Sequence, residues 1–242
     1  MKEFVIFNSI VMAASLITPQ TQGKINLFDD TNAYCLSNIT DLPETELIHL
    51  LMANDGFRSF IFRTLGMSPT AFYKIRVTKP IIDNPYKKPG DVDLLICDRN
   101  NPSQAIAFEG KRIKVETIDE QDEIIRKLDG KNIVEGVKQA RGLRDYGFYN
   151  TYLTLLVETD GRNRTKYNEF SRHSNEITLG KLYDFPYRDK LYQEIGIIII
   201  EIVQPTRKHY SEISQVNVGI VKEAKPLQQP VELTNKIRFL LN

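Results

Sequence analysis

The sequence predicts an α/β domain with a mixed central β-sheet flanked by helices. Three observations carry this. Short runs rich in aromatic and β-branched residues alternate with segments of helical periodicity. A hairpin is followed by a helix and then by another strand, so the sheet holds both parallel and antiparallel pairs. Gly196–Val203 is nearly all apolar, with four consecutive isoleucines, which suits a strand buried on both faces. At 242 residues the chain is long enough for one large core. Hydrophobic residues at 41% and charged residues at 26% match an ordinary globular composition. Without repeats or a Gly/Ser/Pro-rich linker, residues 1–242 are read as a single domain. Its core spans about 41–160, and 1–40 and 161–242 elaborate it.

Taken in order, Phe4 to Ile17 is apolar but interrupted by Asn8 and Ser9 and preceded by Glu3. It is shorter than the roughly 20 residues a bilayer span needs, so it is read as a core element and not as a leader or anchor. A boundary follows at Pro19 to Gly23, and 24–40 reads as irregular. Asp41-Leu-Pro-Glu opens a helix from Glu44 to about Ala53, with Leu47, Leu50 and Leu51 on one stripe. After the turn Asn54-Asp-Gly, a second helix is expected from Gly56 to Leu65. Phe72–Thr78, Asp91–Cys97 and Gln104–Lys114 read as strands, the last two forming a hairpin around Asp98-Arg-Asn-Asn-Pro-Ser. Residues 119–145 read as helix, with Ile133, Val137, Ala140 and Leu143 or Arg144 on one face, and Asn150 to Glu158 returns to strand. The stretch 160–192 reads as an irregular excursion over the surface.

Charge and cysteine usage then narrow the function. Thirty-two basic and 31 acidic residues leave +1, too little for a polyanion-coating protein, so any nucleic-acid site is a local patch. Residues 1–50 carry a balance of −4, 51–175 of +4 and 176–242 of +1, which directs attention to the middle. Cys35 and Cys97 show no metal-binding spacing and are read as two buried thiols of a reducing, cytoplasmic compartment. His49, His173 and His209 are scattered and read as ordinary surface or core histidines. No Gly-Lys pair is followed by Ser or Thr and no G-x-S-x-G occurs, so phosphate-loop and hydrolase-elbow chemistries are not supported.

The chemistry concentrates in the hairpin, Pro89-Gly-Asp-Val-Asp-Leu-Leu-Ile-Cys followed by Ala105-Ile-Ala-Phe-Glu-Gly-Lys-Arg. Side chains alternate across a strand, so Asp91, Asp93 and Leu95 share a face, as do Ala107, Glu109 and Lys111. In register, carboxylates and an ammonium converge. Carboxylate oxygens are the ligands that Mg²⁺ selects, and a lysine beside such an ion can orient or help deprotonate the attacking water and balance charge at phosphorus.

An acid on one strand and acid-x-lysine on the next, here Asp93 and Glu109-Gly110-Lys111 16 positions on, resembles the PD-(D/E)xK nuclease superfamily with its restriction-endonuclease-like fold. Gly90-Asp-Val-Asp-Leu resembles the G-x-V-D-L form of RecB-like members, which favours Asp93 over its rival Asp91. The resemblance implies that Asp93 and Glu109 hold Mg²⁺, or Mn²⁺ in its place, that the Gly110 carbonyl adds a ligand, and that Lys111 serves the attacking water. It also implies a glutamate from the preceding helix, Glu46 or Glu44, between which strand and helix parity do not choose. Gln139 and Tyr146 resemble the Q-x(6)-Y element, with Lys138 adjacent, and Gln139 would order a water or phosphate at the metal edge. The resemblance covers about residues 44–157. It implies a metal-dependent DNA endonuclease, with a noncatalytic nucleic-acid-binding or assembly module on the same fold as the alternative.

Arg141, Arg144, Arg162, Arg164 and Lys166 lie in the positive middle segment, the last three with interleaved aromatics. They are expected to track a phosphate backbone. DNA is the expected partner and no membrane is; monomer or homodimer stays open.

Overall fold

The computed structural model describes residues 42–82, 90–118, 123–126, 128, 130–160, 174, 176–204 and 215–242. Outside these lie Phe4–Ile17, the Pro19–Gly23 boundary, Cys35, Arg162, Arg164, Lys166, His173 and His209. The described chain is mixed α/β, with a seven-stranded mixed sheet flanked by helices.

Helix α1, Glu44–Ala53, buries Leu47, Ile48, Leu51 and Met52, the stripe its periodicity requires. His49 points away from that stripe and is exposed. Helix α2, Asp55–Thr64, starts one residue earlier than its sequence pattern suggested, because the Asn54 side chain caps it by accepting from Phe57 N at 2.9 Å. Strands β1 (Phe72–Val77), β2 (Val92–Cys97) and β3 (Ile106–Thr117) follow. Helix α3, Lys131–Tyr146, buries Ile133, Val137, Ala140, Leu143 and Arg144 along the expected face. Strand β5, Asn150–Asp160, and strand β6, Gly196–Gln204, are the parallel centre of the sheet.

Two expectations are corrected. The helix read over 119–145 starts only at Lys131. Upstream of it, β4 (Glu123–Arg126) has alternating exposure and pairs antiparallel with Lys114–Thr117 of β3. The stretch 160–192 is not wholly irregular: β5 extends to Asp160, and α4, Glu176–Tyr183, buries Leu179 and Leu182, with Phe185 buried just beyond. Near the C-terminus, β7 (Gln215–Lys222) and α5 (Val231–Leu241) complete the fold.

The order is β1-β2-β3-β5-β6-β7. β3, β5 and β6 are parallel, and the other pairs are antiparallel. Because β5 fills one edge of β3 from Ile106 to Glu116, β2 and β4 must share the other. Alternation sorts the core by face. Leu94, Ile96, Ile106, Phe108, Leu156, Ile198 and Ile200 pack with α1 and α2, while Ile113, Val115, Leu153, Leu155, Ile197 and Ile199 pack with α3 and α4. The four isoleucines of β6 are thus divided between two cores, as a strand buried on both faces demands. Cys97 is fully buried, and burial pushes its thiol up to about 12. Among the described residues no helix is long and apolar enough to cross a membrane.

Candidate active site

The ladder between β2 and β3 runs only from Leu94↔Phe108 to Ile96↔Ile106. β3 is taken up again on that edge by β4, beginning at Lys114↔Arg126. The interval leaves the main-chain N–H groups of Gly110 and Arg112 without a neighbouring strand, and a buried unpaired N–H is costly. Carboxylates satisfy both. Asp93 Oδ2 accepts from Gly110 N at 2.7 Å, and Glu44 Oε2 accepts from Arg112 N at 3.0 Å. The fork between two strands is therefore a place built for acids.

One register step beyond Leu94↔Phe108, Asp93 comes opposite Glu109. Two residues further along β3, Lys111 Nζ stands 2.6 Å from Glu109 Oε1 and 3.6 Å from Glu44 Oε1. The lysine stem lies against α3, where a Cβ on Gly136 would fall 2.5 Å from Lys111 Cγ. Only glycine fits there. A glycine inside a helix is unfavourable by about 1 kcal/mol relative to alanine, so Gly136 within the otherwise periodic Ile133–Leu143 was a readable sign that something presses on that face.

The electrostatics follow from burial. Glu109 is 1% exposed, and its Oε2 has no hydrogen-bond donor. Burial, reinforced by the Asp93 charge and only partly offset by Lys111, raises its carboxyl well above the ordinary range. Burial likewise pushes Asp93 up to about 6, with Lys111 and the Gly110 N–H opposing and Glu44 and Asp91 adding to the rise. Desolvation works against the Lys111 ammonium, but Glu109, Glu44 and Asp93 outweigh it and raise its pKa. One cation is shared among three acids.

The structure brings Asp93, Glu109, Lys111 and Glu44 together. Glu46, the other candidate on α1, is exposed, so Glu44 takes that place. Asp91 lies at the rim, 3.4 Å from Arg76 Nε. Gly110 enters through its N–H, and its carbonyl points to the same edge of β3, as both groups of one strand residue do. Gln139 is half-buried on α3 and abuts Gly90, whose φ of 90° and missing Cβ let the amide approach: a Cβ there would meet Gln139 Nε2 at 3.0 Å. Gln139 thus borders Asp91. Tyr146 donates to the Ile81 carbonyl and accepts from Lys236 Nζ at 3.1 Å, a tie between α3, α5 and the chain after β1.

The basic residues expected to face DNA separate. Arg144 is 8% exposed and donates to the carbonyls of Lys225 at 3.0 Å and Tyr149 at 3.4 Å. Its guanidinium is spent on holding the 223–230 segment against α3, which removes it from any phosphate surface. Arg141 is half-buried, stacked 4.5 Å from the Tyr192 ring centroid and bonded to its hydroxyl. Lys138 is exposed, 3.9 Å from Glu135 Oε2.

Among the described residues no group of three or more His, Cys, Asp or Glu is arranged to hold a metal ion as it stands. Here Glu109 and Glu44 close on the Lys111 ammonium. The donor set nevertheless fits a hard divalent cation: three carboxylates without thiolate or imidazole, one of them fully buried with an oxygen that no donor satisfies. Comparison with protein-family models, with curated proteins and with solved structures gives no match.

Proposed function

We propose that this chain is a Mg²⁺-dependent deoxyribonuclease of the PD-(D/E)xK type, hydrolysing phosphodiester bonds with Mn²⁺ as an effective substitute, and that the sheet around β2, β3 and β5 is a restriction-endonuclease-like core. The observation that carries the reading is the β2–β3 fork, where Asp93, Glu109, Glu44 and Lys111 meet and Glu109 Oε2 lacks a donor. Stability alone does not ask for that arrangement. A buried carboxyl with spare acceptor capacity is tolerated where a ligand uses it.

Asp93, Glu109 and Glu44 would hold the ion, with the Gly110 carbonyl as a further oxygen. When bound, the ion would polarise a phosphoryl oxygen and lower the pKa of the attacking water. Lys111, held charged by its acidic neighbours in the metal-free site, would orient that water and balance negative charge at phosphorus. Gln139, at the rim beside Gly90, is placed to order a water or a phosphate oxygen.

The experiment is cleavage of duplex and single-stranded DNA by the full chain. Cleavage is expected with Mg²⁺ or Mn²⁺, with EDTA stopping it and Ca²⁺ supporting binding without turnover. Undiminished cleavage in EDTA, or dependence on Zn²⁺, would overturn the reading. Metal-independent DNA binding without cleavage would instead identify a noncatalytic module.

A further inference from the structure

The proposed site has an acidic interior, and DNA brings more negative charge, so a cation is needed at its edge. Arg76 on β1 has the geometry for it. Ile75 pairs with Leu94 and Val77 with Val92, which leaves Arg76 opposite Asp93 and out of the ladder. Its φ is 53°, in the left-handed region that a non-glycine residue rarely occupies and that is strained inside a strand. The side chain is 68% exposed, and Nε lies 3.4 Å from Asp91 Oδ2. No other partner of Arg76 is found among the described residues. Asp91 in turn follows Gly90, against which Gln139 rests. Arg76 and Asp91 therefore pair beside the buried acids, with Gln139 against the residue that precedes Asp91.

We infer that Arg76 is a substrate-binding residue, its guanidinium gripping a DNA phosphate next to the one that is cleaved, with Asp91 holding it in position. Fixed at Nε by Asp91, the fork keeps its terminal nitrogens for two phosphate oxygens, the bidentate contact for which arginine is suited. The backbone strain at Arg76 has no return in packing, since the side chain is mostly in solvent; a contact with substrate supplies one. This inference rests on the nuclease reading and adds a residue that the sequence pattern does not mark.

The test compares the full-length parent with Arg76→Gly and Arg76→Lys, using duplex DNA with Ca²⁺ for binding and Mg²⁺ for turnover. Glycine relieves the positive φ, so Arg76→Gly should raise Tm by about 3 °C while weakening DNA binding roughly tenfold. It should flatten the salt dependence by a slope of about 0.9 and raise KM more than it lowers kcat. Arg76→Lys should keep the salt slope and lose part of the affinity, because the charge remains and the fork does not. A parent that binds and cleaves, with Arg76→Gly equal to it in affinity and slope, would overturn this inference and leave the nuclease reading standing. So would a binding loss accompanied by a lower Tm in both variants, which would make Arg76 structural. A parent that neither binds nor cleaves overturns both.

Discussion

Two buried glutamates in neighbouring parts of the sheet are treated in opposite ways. Glu201 on β6 is 2% exposed, and its Oε1 accepts from Thr159 Oγ1, Ser174 N and Ser174 Oγ, each at 2.7 Å. Glu109 on β3 is buried as deeply, yet its Oε2 meets no donor, and its company is two further acids and one lysine. Donors saturate the first, as a structural acid requires. The second costs folding free energy and keeps the lone pairs of Oε2 available. Burial is the same at the two positions; what differs is the number of donors aimed at the carboxylate, and the proposed function rests on that difference.

The sharpest way to break this comparison is to remove the charge at each position. Glu109→Gln should lower DNA cleavage by at least about 10³-fold, and Lys111→Ala should do the same, while Glu109→Gln leaves the metal-free protein within about 1 kcal/mol of the parent or more stable. Single-turnover cleavage and denaturant titration in EDTA read the two effects. Retained cleavage with lost stability would make Glu109 a second Glu201.

Asp93 offers a pH test of the same contrast. Its carboxyl is raised from an ordinary 3.8 to about 6, so the folded protein keeps a proton that the unfolded chain releases. The resulting stabilisation is complete below pH 3.8 and disappears as pH rises through 6, about 3 kcal/mol in all. Titrating stability in EDTA between pH 4 and pH 7 should show the decline, and Asp93→Asn should reduce it, leaving the part that the raised Glu109 carboxyl contributes. Metal loading runs the other way, because the ion must displace that proton, so Mg²⁺ affinity should rise across the same window. A pH-independent Mg²⁺ affinity would remove Asp93 from the ligand set.

Glu201→Gln is expected to destabilise by about 2 kcal/mol, since a neutral amide cannot accept the three donors at one oxygen as a carboxylate does. Its effect on kcat should be slight, which equilibrium unfolding and steady-state rates together would establish.

Much of this was readable in the sequence and some was not. Periodicity located α1, β2, β5, β6 and the buried face of α3, because those elements commit a whole side to the core. Asp93, Glu109 and Lys111 were readable because strand parity puts each on the inner side of its strand, and the resemblance to the G-x-V-D-L and acid-x-lysine pattern chose Asp93 over Asp91. Glu44 was not separable from Glu46: the choice depends on how α1 enters the β2–β3 fork, a tertiary fact. Arg144 looked like a phosphate contact because its burial depends on carbonyls at Tyr149 and Lys225, the latter 81 residues away. β4, with four residues, is too short for a period to show, whereas Val216, Val218 and Ile220 of β7 and Leu233 and Ile237 of α5 carry regular apolar spacings in the sequence.

The smallest expected effects contrast two helical glycines. Gly136→Ala should slow cleavage about tenfold, because its Cβ would collide with the Lys111 stem. Gly180→Ala on α4 meets nothing within 4 Å and should stabilise by up to about 1 kcal/mol with unchanged turnover. Equal behaviour of the two would show that Gly136 serves the helix and not the site.

The most direct test of the β2–β3 fork as a metal centre is anomalous diffraction from a crystal of the full chain soaked in Mn²⁺. The expected result is a peak bound by both Asp93 and Glu109 and lost in Glu109→Gln. A fully occupied peak elsewhere, or no peak at the fork at saturating Mn²⁺, would contradict it.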